Sequence, residues 1–205
     1  MQTNDAEFWK GLPILLFEDQ VAFEEWLAVE PQESKGLWLR LAKKGSGLAS
    51  VTKAGAIDTA LCHGWIDGQL DKYDEASWVV RFTPRKRGSK WSEVNRARAL
   101  ELIEAGRIKP AGLAEIEAAK ADGRWAAAYA PASRAEVPPD LQAALDHSPA
   151  AGAFFGTLTG ANRYAILYRV GSVKKPETRA RRIAEFVSML EHGETVHGPN
   201  QGSRT

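Results

Sequence analysis

The stretch Cys62-His63-Gly64-Trp65-Ile66-Asp67-Gly68 sets a thiol, an imidazole, an indole and a carboxylate within six positions. Those groups serve nucleophilic, acid–base or metal chemistry, so their spacing decides which is open. Neighbours on a helix do not face each other, and Cys62 and His63 therefore make a poor nucleophile and base. A thiol at a helix C-terminus also meets the negative pole of the macrodipole, which raises its pKa. Cys62 is expected as a small buried hydrophobe. With a single cysteine and His63, His147, His192 and His197 scattered along the chain, no ligand spacing builds a zinc site. No metal or other cofactor is expected, and no GxSxG elbow, Walker loop or GxGxxG fingerprint is present. Asp67 can accept from Arg81 on an adjacent expected strand, either as a structural pair or to orient a ligand.

Cationic side chains gather in two segments. Residues 81–98 hold seven basic groups against Glu93, and residues 174–182 hold five against Glu177. The net charge is only +1, so the remainder of the chain is acidic. Both segments lie at or before an expected helix start, where open N–H groups and the helix dipole oppose cations. A bound anion resolves that conflict, and so do the protein's own carboxylates. The first solution makes Trp65, Asp67, Arg81, Thr83, Arg85, Arg87, Ser89, Trp91 and Asn95 a ligand-binding set, joined by Lys175, Arg179 and Arg182. Its ligand would be a phosphate, a carboxylate or a nucleic acid. No catalytic residue is assigned. Trp78, Phe82 and Trp91 interleave with the first basic segment, yet their periodicity suits the core. Arg85 and Arg87 read as surface residues whose joint replacement by alanine costs no more than roughly 1 kcal/mol of stability.

Elements must hold these groups in place. Asp19 can cap a helix carrying Phe23, Trp26 and Leu27, which Pro31 stops. Leu37, Leu39 and Leu41 alternate with Trp38 and Arg40 as in a strand with one buried face. Thr52 caps a helix that breaks at Gly64, and residues 65–69 and 77–83 read as two further strands. These three strands suit a small antiparallel sheet. A helix over 89–105 would put Trp91, Val94, Ala97, Leu100 and Ile103 on one stripe before Gly106. Pro110 opens another helix. Beyond a proline-bearing connection at 131–140, residues 140–146, 149–156, 161–170 and 176–192 read as helices, the last with Ile183, Phe186, Val187 and Leu190 inward. The reading is thus α+β, with an α+β domain at 1–130, a helical domain at 131–196 and a flexible tail at 197–205.

At 205 residues, 44% hydrophobic and 26% charged, the chain is long enough to bury a core and balanced like a globular protein. No apolar run nears the roughly 18 to 20 residues of a membrane helix. The polar start and lone cysteine suggest a cytoplasmic protein without an export signal.

Several motifs resemble one family. They are Ala56-Ile57-Asp58-Thr59-Ala60-Leu61-Cys62-His63-Gly64-Trp65-Ile66-Asp67-Gly68, then Arg81-Phe82-Thr83-Pro84-Arg85, and Trp91-Ser92 with Asn95-Arg96. Lys109-Pro110-Ala111-Gly112, Asp122-Gly123-Arg124-Trp125 and Lys175-Pro176-Glu177-Thr178-Arg179-Ala180-Arg181-Arg182-Ile183 follow. Together they resemble the YdeI/OmpD-associated, or bacteriocin-protection, proteins. The resemblance implies a YjbR/CyaY-like α+β region followed by a short helical bundle, with a protective phenotype and no established reaction. The reading that follows is a non-catalytic module binding an anion or nucleic acid, linked to stress or bacteriocin protection. The alternatives are a small enzyme acting on an anionic molecule through Asp67 and residues 81–87, or a factor that binds a protein partner. No membrane partner is expected.

Overall fold

The computed structural model describes residues 7–30 and 33–198. The expected helix stop at Pro31 and all but the first two residues of the expected tail lie outside them. The chain is α+β, with five strands and eight α-helices among the described residues, and it divides into two compact units at Ala128 and Tyr129.

In the first unit β1 (Phe8–Trp9) and β2 (Leu12–Leu15) form a tight hairpin. Its turn residues Lys10 and Gly11 both have positive φ, 49° and 79°, the combination whose twist matches an antiparallel pair. The helix α1 (Gln20–Val29) starts where the Asp19 carboxylate accepts from the Ala22 N–H at 2.9 Å. It carries the chain back so that β3 (Leu37–Ala42) lies parallel to β2. After α2 (Lys53–Cys62), capped by Thr52, come β4 (Trp65–Lys72) and β5 (Ser77–Pro84). β5 inserts between β3 and β4, antiparallel to both, which gives the order β1-β2-β3-β5-β4. The expected antiparallel trio is present, but the sheet is mixed because the α1 crossover aligns β2 with β3.

One sheet face packs Leu37, Leu39, Leu41, Trp65, Val80 and Phe82 against Phe23 and Leu27 of α1 and Ala56 and Ala60 of α2. The other face is also buried, with Leu12, Ile14, Trp38 and Val79 under Trp9 and Tyr73. β3 therefore has two buried faces where its alternation implied one. α3 (Glu93–Glu104) begins after the cap Ser92, four residues later than expected. Trp91 then lies outside the helix and does not set its phase. Ala99 and Leu102 face inward, and Val94 and Leu100 are exposed. α4 (Pro110–Ala121) completes this corner, packing Ile116 and Ala119 with Trp91, Leu61 and Cys62.

The second unit begins with a 3-10 turn at Ala132–Arg134. It contains α5 (Pro139–Asp146), α6 (Pro149–Thr157), α7 (Gly160–Gly171) and α8 (Pro176–Glu191). Three of the four open on proline, whose missing N–H has no partner to lose in a first turn. Leu141, Leu145, Phe155, Ile166, Val170 and Phe186 are among the residues of their shared core.

Candidate functional site

The Cys62–Trp65 stretch is a junction of three elements. The Cys62 carbonyl accepts from the Lys109 N–H at 3.0 Å and the Gly64 carbonyl from the Arg85 N–H at 2.9 Å. Thus the end of α2 is tied to the start of α4 on one side and to the end of β5 on the other. Trp65 is fully buried in the core. The Cys62 thiol is buried too, and its surroundings push its pKa up, chiefly through desolvation.

The first basic segment is largely engaged by the protein itself. Arg85 is only 5% exposed. Its guanidinium lies 3.6 Å from the Trp91 ring centroid, and its Nη1 donates to the Lys90 carbonyl. This corrects the reading of Arg85 as a surface residue: stacking on a core tryptophan takes it inward, and Trp91 itself is 1% exposed. The Ser89 hydroxyl accepts from the Lys86 N–H at 2.9 Å, and its carbonyl accepts from Arg124 at 2.9 Å. Arg96 donates to the Trp125 carbonyl at 3.0 Å. Arg98 grips both oxygens of Asp58 at 2.7 and 2.6 Å and also bonds Glu101. The Ser92 hydroxyl accepts from the backbone N–H of Asn95, which is half-buried. Arg81, Lys86 and Arg87 are exposed, and Thr83 is half-buried on the strand face of Arg81.

The expected Asp67–Arg81 pair does not form. Asp67 is registered opposite Phe82, and Arg81 opposite Trp38. Side chains alternate along a strand, so Asp67 shares the Phe82 face and Arg81 the reverse one.

On the second unit, Arg179 donates to both oxygens of Asp140 at 2.5 and 2.9 Å and to the Val170 carbonyl at 2.7 Å. Arg181 and Arg182 share Glu185. Lys174 and Lys175 are exposed. The protein's own carboxylates are thus the main answer to the cation puzzle on this unit.

What residue spacing missed is a cleft of about 710 Å³ in the first unit, between α1 and the start of α4, reached by His63. Lys109 Nζ stands 2.9 Å from Glu24 Oε1, and His63 Nε2 stands 4.0 Å from the same oxygen. The Lys109 hydrogen bond, opposed by partial burial, holds the Glu24 carboxyl below its ordinary value. Burial lowers the His63 pKa, with Glu24 acting in the other direction. At neutral pH the cleft therefore presents an ammonium–carboxylate pair beside a neutral imidazole. His63 and Lys109 both stand in quoted motifs, but only His63 drew attention for its chemistry. Glu24 and Lys109 are distant in sequence and meet because α2 packs both against α1 and against the start of α4.

Comparison with known proteins divides along the chain. Residues 15–115 match a family model described as a domain of unknown function (DUF8412). Residues 134–193 match the model described as Bacteriocin-protection, YdeI or OmpD-Associated. The motifs quoted between Ala56 and Gly112 fall in the first match and the Lys175-Pro176-Glu177 run in the second. No curated protein and no solved structure matches the chain. Over residues 134–193 the chain is thus similar to the bacteriocin-protection, YdeI or OmpD-associated family.

Proposed function

We propose that the protein is a ligand-binding module whose site is the cleft between α1 and the start of α4. The observation that carries this reading is the convergence of His63, Lys109 and Glu24 on one cavity with apolar walls. A concave, mainly apolar site with a few oriented polar groups is the usual form of a small-molecule pocket. A fragment set titrated into the full chain and followed by amide NMR tests it. Binding shifts are expected at Val21, Ala28, His63 and Ala111, and Ala28→Trp, which fills the cleft from an exposed helix position, should abolish them. Shifts mapping elsewhere, or binding undiminished in Ala28→Trp, overturn the reading.

A second reading keeps the anion or nucleic-acid partner and confines it to Arg81, Lys86 and Arg87. It is favoured by the exposure of these three cations, which make no ion pair among the described residues. Affinity for single-stranded DNA should then fall steeply with salt, and Arg87→Ala should flatten that dependence; a salt-independent affinity ends this reading. For the biological setting we propose the cytoplasm and the protection against bacteriocin or other stress that the family description suggests, with a YjbR/CyaY-like kinship for the first unit. Among the described residues, no helix is long and apolar enough to cross a membrane.

A further inference from the structure

We infer that the occupant of the α1–α4 cleft is a small organic cation, an ammonium or guanidinium carried on an apolar body; this rests on the cleft being the binding site. The walls define the apolar part. Leu27 and Ala28 of α1 and Pro110 and Ala111 at the start of α4 line it, so a hydrocarbon placed there gains by leaving water. The rim defines the sign of the charge.

Glu24, Glu25 and Glu30 all border the cleft, against one cation, Lys109. Lys109 is already held by Glu24, while Glu25 and Glu30 make no ion pair among the described residues. Glu30 is also the cap residue ending α1, whose last turn contains no basic side chain. The negative pole of that helix therefore has no basic side chain of its own to offset it. The opposite wall does not restore the balance. The N–H end of α4 faces the end of α2, with the Lys109 N–H on the Cys62 carbonyl and Gly112 backed against the same carbonyl. An anion entering here would meet two carboxylates that have no ion pair among the described residues, and a neutral molecule would use the walls alone.

Three isosteres separate these cases: 2-phenylethylammonium, 2-phenylethanol and 3-phenylpropionate, each titrated into the full chain near neutral pH with amide NMR as the readout. The ammonium should bind about fivefold to tenfold tighter than the alcohol, the yield of two solvent-screened ion pairs. Glu25→Gln combined with Glu30→Gln should close that gap to less than about twofold while leaving the alcohol unaffected. Val21→Lys, a charge added at an exposed rim position, should weaken the ammonium alone and serves as the independent variant. Equal binding of ammonium and alcohol, or preference for the propionate, overturns the cation assignment and leaves the cleft as the site. Absence of shifts at Val21, Ala28 and Ala111 with all three probes overturns the cleft reading as well.

Discussion

The guanidinium of Arg85 lies 3.6 Å from the centroid of the Trp91 ring, with both residues buried. A desolvated cation–π contact is worth about 2 kcal/mol, and the Arg85 hydrogen bond to the Lys90 carbonyl adds roughly 1 kcal/mol. Arg85→Ala should therefore destabilise by about 2–3 kcal/mol in urea unfolding. Arg87→Ala, two residues along and exposed, should stay within about 0.5 kcal/mol. Equal midpoints for the two variants would return Arg85 to the surface.

A second prediction concerns the junction of α2 and α4. A Cβ on Gly112 would overlap the Cys62 carbonyl, a backbone group with nowhere to go. In a helix interior Gly→Ala normally gains up to about 1 kcal/mol, so the steric cost must exceed that gain to show. Gly112→Ala should lose about 1–3 kcal/mol net, as overpacked cores do. Gly68→Ala is the control, since its Cβ would sit 3.7 Å from the Arg81 carbonyl, ordinary contact. A stabilised Gly112→Ala would mean that the two helices are not in contact as described.

These two positions also show where sequence patterning stops. Asp19 and Thr52 were legible as caps because each accepts from a backbone N–H three residues on, a local relation. Leu37, Leu39 and Leu41 were legible because period two is local as well. The parallel pairing of Ile14 with Trp38 was not, since β2 has four residues and its partner strand lies across a helix. Arg85 and Arg87 have the same local composition, and only the approach of Trp91 makes one of them core. The cleft was invisible for the same reason: Glu24 and Lys109 meet because α2 packs on α1 and, where Gly112 permits the approach, on the start of α4, and no local pattern announces it.

The pH dependence of stability should carry a signature of His63. Burial sets its pKa below the ordinary 6.5, with Glu24 of α1 and Lys109 at the start of α4 facing it in opposite senses. The unfolded chain therefore takes up this proton first, so the contribution is intact above 6.5 and is lost as pH falls from 6.5 through the lowered value. Its slope cannot exceed about 1.4 kcal/mol per pH unit. Glu24 acts in a separate window, because a carboxyl held below 4.5 stabilises above that pH and its contribution fades only beneath it. Urea midpoints measured across pH should show the His63 step in the parent and not in His63→Gln. A step of equal size in that variant would assign the proton elsewhere.

In the second unit Arg179 resolves the conflict of a cation in the first turn of a helix. It reaches out of α8 to both oxygens of Asp140, itself in the first turn of α5, where a carboxylate is favoured by the dipole. It also satisfies the Val170 carbonyl near the end of α7, so three helices depend on one guanidinium. Because Asp140 is 47% exposed, the ion pair must be discounted for solvent screening. Arg179→Ala should cost about 1–2 kcal/mol, not the roughly 3–5 kcal/mol of a buried pair. Arg181→Ala, 72% exposed and 3.7 Å from Glu185, should cost less than about 0.5 kcal/mol. A double-mutant cycle with Asp140→Asn should recover most of the Arg179 loss as coupling, and additive losses would show that the bidentate contact does not hold α5 to α8.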